Sequence, residues 1–169
     1  MADSKRRNGL LLALAIFTID QVMKYLVTGP FGLEMEGDSH YLLPIFNLTL
    51  VHNYGVSLGM LTAESNAMRW GLVALTGGIS VFVASWLWRE SNRTDVLGLG
   101  LILGGAVGNL LDRVRFGHVV DYADLHFGEF RPFLVFNVAD AAITIGVLIL
   151  LARALLVRDR KPKAENENA

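Results

Sequence analysis

Two aspartates, Asp121 and Asp140, stand out among the side chains that could do chemistry, because each lies at or within an apolar stretch. Asp140 is the only charge in the run from Pro132 to Ala152, and Asp121 follows Val119-Val120 just outside the preceding apolar run. The basic residues nearest to Asp140 in sequence are more than two helical turns away. A lone carboxylate in apolar surroundings must become protonated or find a partner.

The partner of Asp140 decides what it can do. Two carboxyl groups within about 3 Å of each other cannot both ionise easily, so they share a proton and their pKa values separate. One carboxylate can then take a proton from water while the other acid donates to a carbonyl oxygen, which hydrolyses an amide without a covalent intermediate or a metal. The alternative is an ion pair of Asp140 with Lys24 or Arg113 that only fixes helix packing.

Other polar residues cluster near the same ends of the apolar runs. Asp20 and Lys24 are four residues apart, so they share a helix face and can pair. Asn109, Asp112 and Arg113 share a second helix face by the same spacing argument. Ionisable groups in membrane spans are costly and usually face the interior of the bundle. We expect Lys24 and Arg113 to balance Asp20 and Asp112. Three amides could hold the water or the oxyanion: Asn53, Asn109 and Asn137.

Several other chemistries fit the sequence less well. The chain has no cysteine, which excludes disulfides, thiolate nucleophiles and cysteine metal ligands. It lacks the phosphate-loop and His-Glu-x-x-His motifs. Zinc is an alternative at one cluster of ligand-type residues, although its spacing matches no zinc signature; the cluster is His118, Asp121, Asp124 and His126. We expect His40 and His52 to be interfacial residues, and we expect neither a metal nor a cofactor.

The elements that must position these residues are four membrane spans. The chain is 53% hydrophobic and 18% charged, whereas a soluble domain averages about 25% charged. A span needs roughly 20 mostly apolar residues, and the apolar runs predict spans at about 9–28, 69–88, 96–113 and 132–152. A cleavable signal peptide is the alternative for the first run, but Asp20 and Lys24 continue its helical pattern and no cleavage site follows.

The distribution of basic residues predicts the orientation of the spans. Four crossings place both termini on one side, and Lys and Arg concentrate on the cytoplasmic side. Ten of the fifteen basic residues lie near the termini or between the second and third spans: Lys5, Arg6, Arg7, Arg89, Arg93, Arg153, Arg158, Arg160, Lys161 and Lys163. We therefore expect cytoplasmic termini, a polar cytoplasmic tail at 158–169, and external segments at 29–68 and 114–131. The net charge of −1 argues against a nucleic-acid partner.

Two local patterns complete the predicted fold. The stretch 45–51 is rich in β-formers and predicts a strand in the first external segment. Gly100, Gly104 and Gly108 form a stripe on which another helix can pack closely, and Gly108, beside Asn109, could also clear room for a ligand. The expected fold is a single all-α membrane domain over residues 1–169, with four transmembrane helices and a small external β-rich platform.

Four sequence blocks resemble the lipoprotein signal peptidases (signal peptidase II), which are aspartic peptidases of the bacterial inner membrane. The resemblance extends from Asp20 to about Leu151. The blocks are Asp20-Gln21-Val22-Met23-Lys24, Asn53-Tyr54-Gly55-Val56-Ser57, Gly104-Gly105-Ala106-Val107-Gly108-Asn109-Leu110-Leu111-Asp112-Arg113, and Val119-Val120-Asp121 with Phe136-Asn137-Val138-Ala139-Asp140.

The resemblance implies roles for the matching residues. Asp121 and Asp140 would be catalytic, whereas Asp124 does not match a catalytic position. The supporting or substrate-binding residues would be Asp20, Lys24, Asn53, Gly55, Gly108, Asn109, Asp112, Arg113 and Asn137. The chain departs from many members of the family at Leu58 and at Leu134-Val135, which bears on the shape of the pocket.

The resemblance also implies the partners and the location. The substrate would be a diacylglyceryl-modified prolipoprotein, cleaved just before its lipid-bearing cysteine by a monomer in contact with membrane lipid. Globomycin-like inhibitors would bind the same site. The active site would lie near the periplasmic face of the inner membrane, with segment 29–64 as a platform and partial lid.

Two other classes remain as alternatives: an ion-coupled carrier that uses Asp140 and Asp20 as relays, and an assembly subunit in which the buried charges only specify helix pairing.

Overall fold

The computed structural model describes residues 2–55 and 66–158. Leu58, the 56–65 part of the external segment, and the tail after residue 158 lie outside the described residues. The elements are, in order, α1 (Ala2–Thr28), β1 (Ser39–Leu43), β2 (Phe46–Asn53), α2 (Asn66–Arg89), α3 (Arg93–Phe116), β3 (Val119–Leu125) and α4 (Val138–Arg158).

The four helices of the described residues are each long and apolar enough to cross a membrane. Helix α3 is the central one, because it packs against α1, α2 and α4 and is the most buried of the four. The other three helices expose large apolar side chains such as Leu14, Phe82 and Leu148, as expected of surfaces that face lipid. The prediction of a four-helix membrane fold is confirmed.

Glycines allow α3 to approach its neighbours closely. A Cβ atom on Gly100 would lie 2.7 Å from the carbonyl oxygen of Gly9, and one on Gly104 would lie 2.5 Å from that of Ala13. The predicted packing role of these two glycines is therefore confirmed, with α1 as the partner. At Gly108 a Cβ atom would meet the carboxylate of Asp20 at 2.6 Å. The space that the missing side chain of Gly108 leaves is occupied by the carboxylate of Asp20.

Helix α4 begins at Val138 and not near Pro132. The residues before it do not form a helix, and Phe136 instead exchanges backbone hydrogen bonds with Ala123 of β3 at 2.7 and 3.1 Å. Asp140 therefore lies in the first turn of α4, not eight residues into a helix as the sequence suggested. The sequence carries no charge from Pro132 to Ala139, across the end of the extended segment and the start of α4. The apolar run alone therefore did not reveal where α4 begins.

The external segments form a three-stranded antiparallel sheet in the order β1-β2-β3. Strand β2 confirms the strand predicted at 45–51. Strand β3 corrects the expectation that Asp121 lies in a loop. Its first six residues are all buried, so it lacks the alternation of polar and apolar residues that marks a half-exposed strand. An apolar cluster that includes Val27, Leu50 and Val120 joins the sheet to the end of α1.

Candidate active site

Asp121 lies in β3 opposite Val51 of β2, and its side chain is buried with 1% of its surface exposed. Two amide side chains hold its carboxyl group: Asn137 donates to Oδ1 at 2.6 Å, and Asn53 donates to Oδ2 at 2.9 Å. Burial and the nearby charge of Asp140 raise the pKa of Asp121 to about 7. Asp121 can therefore retain a proton near neutral pH, as an acid catalyst must.

Asp140 is held by the start of its own helix. Asn137 is the residue before α4, and its side-chain oxygen accepts a hydrogen bond from the backbone N–H of Asp140 at 2.9 Å. In return the carboxylate of Asp140 accepts from the backbone N–H of Asn137 at 3.3 Å. This reciprocal arrangement is a capping box. Asn109 adds a third contact from α3, donating to Oδ1 of Asp140 at 2.8 Å.

Asn137 therefore lies between the two aspartates. Each of the two carboxyl groups accepts a hydrogen bond from Asn137. The structure thus brings the two carboxyl groups to one site, and a proton shared between them stays a prediction. The alternative ion pair of Asp140 with Lys24 is not formed, because Lys24 pairs elsewhere.

Lys24 forms a buried ion cluster beside this site. Its ammonium group lies 2.8 Å from Asp20 and 2.7 Å from Asp112, and all three side chains are at most 6% exposed. The predicted pair of Asp20 and Lys24 is confirmed, whereas Lys24 and not Arg113 forms the salt bridge with Asp112. Lys24 also donates to Oδ1 of Asn109 at 3.1 Å. The amide of Asn109 therefore connects the ion cluster to Asp140.

Asp20 and Asp112 also bind the backbone of the segments that carry Asp140 and Asp121. Asp20 accepts a hydrogen bond at 3.0 Å from the backbone N–H of Ala139, in the first turn of α4. Asp112 accepts one at 3.2 Å from the backbone N–H of Val120, next to Asp121 in β3. The ion cluster thus ties α1 and α3 to the two segments that carry Asp121 and Asp140.

Arg113 and Gly55 are neighbours at the site. The guanidinium of Arg113 interacts electrostatically with Asp140, Asp121 and Asp112. Gly55 has a φ of 82°, and a Cβ atom there would lie 3.7 Å from Nη2 of Arg113. Its backbone N–H donates to Asn53 at 2.8 Å, so this turn orients the amide that holds Asp121. A side chain at this position would be strained, and its Cβ atom would crowd Cδ1 of Leu72 at 2.8 Å.

The residues considered for zinc are separated in the structure. Asp124 forms a two-bond ion pair with Arg131 at 3.1 and 3.3 Å. The ring of His118 packs on that of His52, with centroids 4.1 Å apart. Burial, followed by the neighbouring His52, lowers the pKa of His118. Within residues 2–55 and 66–158, no three His, Asp or Glu side chains form a group that could hold a metal ion.

The sequence of this chain matches the family model described as signal peptidase (SPase) II over residues 12–156. The chain belongs to the signal peptidase II family.

Its relatives in the signal peptidase II family include proteins named lipoprotein signal peptidase. That of Sphingopyxis alaskensis is 54% identical over 94% of this chain and 91% of the relative. That of Rhizorhabdus wittichii is 50% identical over 100% and 99%. One from Burkholderia thailandensis is 39% identical over 88% and 90%.

Two solved structures of bacterial membrane enzymes share the fold of this signal peptidase II family member. One, determined by the in meso method at 2.3 Å resolution, has a TM-score of 0.77 at 28% identity and covers 95% of this chain and 94% of its own. The other, determined at 1.9 Å, has a TM-score of 0.74 at 29% identity and covers 88% and 92%.

Two residues that sequence reasoning had not assigned also support this signal peptidase II site. Gln21 donates to Asp112 at 3.0 Å and to Asp20 at 3.2 Å, and its place between Asp20 and Lys24 could have indicated this. Arg69 donates to the carbonyl oxygens of Arg113 and Val114 at 2.9 and 2.6 Å and so caps the end of α3. Nothing in the local sequence marks Arg69, because its partners lie more than forty residues away.

Proposed function

We propose that this chain removes the signal peptide from diacylglyceryl-modified prolipoproteins, cleaving just before the lipid-bearing cysteine, with Asp121 and Asp140 as its catalytic residues. A peptidase activity follows from membership of the family. The observation that carries the assignment is the pair of carboxyl groups held at one site by Asn137 and Asn109.

The surroundings of the two carboxyl groups support different roles. Asp140 lies in the first turn of α4, where the positive end of the helix dipole and N–H donors favour a negative charge. It would act as the base. Asp121 is buried, and its pKa is raised to about 7. It would act as the acid. This separation of roles between two carboxyl groups is the usual consequence of unequal surroundings.

The hydrolysis then balances without a cofactor. Asp140 takes a proton from the attacking water as its oxygen bonds to the carbonyl carbon, and Asp121 gives its proton to the carbonyl oxygen. The carbon–nitrogen bond then breaks, the leaving amine takes the proton from Asp140, and Asp121 recovers a proton from a hydroxyl of the intermediate. Both carboxyl groups return to their starting states. The guanidinium of Arg113 interacts electrostatically with both carboxyl groups and would stabilise negative charge that develops during the reaction.

The ion cluster would limit the negative charge of the site. Lys24 neutralises Asp20 and Asp112 in part, so the catalytic pair is not surrounded by further unpaired carboxylates. Without Lys24, the uncompensated charge of Asp20 and Asp112 would add to the negative charge of the site.

A groove beside Asp140 supports access from the bilayer. It has a volume of about 310 Å³ and is lined, apart from Asp140, by mainly apolar residues: Phe133, Leu134, Phe136, Ala141, Thr144 and Ile145. Leu134 is 81% exposed. A substrate held in the membrane by its lipid could therefore reach Asp140 sideways. A globomycin-like substrate mimic would occupy the same site.

The distribution of basic residues supports the location. We place both termini in the cytoplasm and the three-stranded sheet with the aspartates at the periplasmic face of the inner membrane. The chain would act as a monomer, because all the residues assigned to the reaction come from a single copy.

The test is cleavage of a diacylglyceryl-modified prolipoprotein by the purified protein, followed by the mobility shift of the product on a gel. Asp121→Asn and Asp140→Asn should each abolish cleavage while the protein remains folded. Asp124→Asn is the matched control, because Asp124 is also buried in β3 but pairs with Arg131. This control should retain activity. Turnover by either of the first two variants would overturn the assignment.

A further inference from the structure

A second cavity lies between α1 and α3 at the end of the bundle opposite the aspartates. Its volume is about 300 Å³, and six residues from the first turns of the two helices line it: Ser4, Lys5, Asn8, Arg93, Val96 and Leu97. Lys5 and Lys24 are nineteen residues apart on α1, which corresponds to roughly 28 Å along a helix. The cavity is therefore separate from the proposed catalytic site and lies at the other face of the membrane.

The floor of this cavity is apolar and closed. A Cβ atom on Gly9 would lie 2.7 Å from Cγ1 of Val96, so α1 and α3 touch just below the cavity. Leu97 lines the same side and is 48% exposed. An apolar chain that entered between the helices would thus lie against Val96 and Leu97 and remain open to the lipid.

The rim of the cavity is cationic. The ammonium group of Lys5 is fixed there by a hydrogen bond to the carbonyl oxygen of Ser91 at 2.9 Å, which leaves two of its three protons for another acceptor. Arg93 faces the same cavity from α3. Ser4 and Asn8 add a hydroxyl and an amide as neutral donors. Two cations that line one cavity repel each other unless an anion lies between them.

Two carboxylates of the described residues near this end of the bundle have other partners. Asp95 forms an ion pair with Arg153. Glu90 accepts hydrogen bonds at 2.8 Å from the backbone N–H groups of both Ser91 and Asn92, which form the short connection from α2 to α3. Neither of these two carboxylates is paired with Lys5 or Arg93, so the positive charge of the cavity can attract an anionic ligand.

We propose that this cavity binds an anionic glycerophospholipid, with the phosphate between Lys5 and Arg93 and an acyl chain against Val96 and Leu97. Basic pockets between transmembrane helices are suited to anionic headgroups. The apolar floor favours a lipid over free phosphate, which has no apolar part. The cation of a zwitterionic headgroup would be repelled by the two basic side chains, so a headgroup with a net negative charge fits better.

The test is native mass spectrometry of the full chain in detergent with added phosphatidylglycerol or phosphatidylcholine of matched acyl chains. Phosphatidylglycerol should bind more strongly. The double variant Lys5→Gln/Arg93→Gln should lose about tenfold in affinity for phosphatidylglycerol. The matched control, Arg7→Gln/Arg89→Gln, removes two exposed charges from the same end of the bundle without altering the cavity. It should lose far less, because exposed charges outside the cavity are screened by salt.

A third variant keeps every charge. Asn8→Trp should fill the cavity and weaken the binding of phosphatidylglycerol. Because this variant retains Lys5, its effect does not depend on the contact of Lys5 with Ser91. Equal losses in the two double variants would show general attraction to a basic surface and would overturn the proposal. So would unchanged binding by Asn8→Trp, equal binding of the two lipids, or displacement of the lipid by millimolar inorganic phosphate. None of these measurements depends on peptidase activity.

Discussion

The side-chain amide of Asn137 donates a hydrogen bond to the buried carboxyl group of Asp121 over a distance of 2.6 Å. The same residue caps α4 and exchanges hydrogen bonds with Asp140 at 2.9 and 3.3 Å. The geometry of the two aspartates is therefore set by the residue at which α4 begins. A helix cap thus also positions the proposed catalytic pair.

Replacement of Asn137 by serine separates these two roles of the residue. Serine is a good N-cap, so Asn137→Ser should fold, but its short hydroxyl cannot reach Asp121 as the amide does. We expect kcat to fall by about 10²- to 10³-fold, the usual effect of losing one positioned donor, with little change in KM. Steady-state kinetics on a lipidated prolipoprotein would measure this. Asn47→Ala, at the far end of β2, is the control, and an unaltered kcat in Asn137→Ser would contradict the prediction.

The raised pKa of Asp121 predicts a pH dependence. If Asp121 is the acid, the active form is protonated, and its fraction falls as the pH rises through about 7. We therefore expect kcat/KM to decline on the alkaline side of neutrality. The hydrogen bond from Asn53 lowers the pKa of Asp121, so Asn53→Ala should move this alkaline limb to higher pH. The apparent pKa values belong to the coupled pair. A limb that stays in place or moves to lower pH in Asn53→Ala would argue against Asp121 as the acid.

The ion cluster of Asp20, Lys24 and Asp112 should be required for stability. Lys24→Met would leave two carboxylates buried without their cation, and removing one partner of a buried pair costs about 3–5 kcal/mol. The triple variant Asp20→Asn/Lys24→Met/Asp112→Asn should be more stable than Lys24→Met alone, because asparagine keeps an acceptor for Ala139 and Val120. Thermal unfolding in detergent would rank the variants.

A control for the ion cluster comes from a more exposed pair. Arg153→Met breaks the partly exposed pair of Arg153 with Asp95, and exposed pairs contribute only about 0–1 kcal/mol. It should therefore lower the unfolding temperature much less than Lys24→Met does. Equal effects of the two substitutions would mean that burial of the cluster does not determine its contribution.

Much of this fold and part of the site could be predicted from residues that are close together in the sequence. Charge-free runs located four helices, and the spacing of Asp20 and Lys24 predicted their ion pair, because both features depend on residues close in sequence. The contact of Lys24 with Asp112 was not predicted, since it depends on how α1 packs against α3. Arg113, which follows Asp112 directly in the sequence, was the expected partner.

The missed features depend on tertiary structure. Strand β3 is buried on both faces, so no alternation marked it, and the bridge between Phe136 and Ala123 ends the extended segment before α4. The position of Asn137 between Asp121 and Asp140 follows from these two features together. The sequence could therefore indicate which carboxyl groups belong to the site, but not how they are joined.

Two glycine-to-alanine substitutions in the helices should change the stability of the protein in opposite directions. Gly104→Ala would place a Cβ atom 2.5 Å from the backbone oxygen of Ala13, which cannot move unless α1 and α3 separate. Such overpacking should cost about 1–3 kcal/mol. Gly78→Ala in α2 meets no atom within 4 Å, so the reduced freedom of the unfolded chain should stabilise that variant by about 0.5–1 kcal/mol. Thermal unfolding of both variants in one detergent would therefore move in opposite directions. Stabilisation by Gly104→Ala would mean that α1 can shift away from α3 at little cost, and that the close contact of the two helices is not what fixes Asp20 beside Gly108.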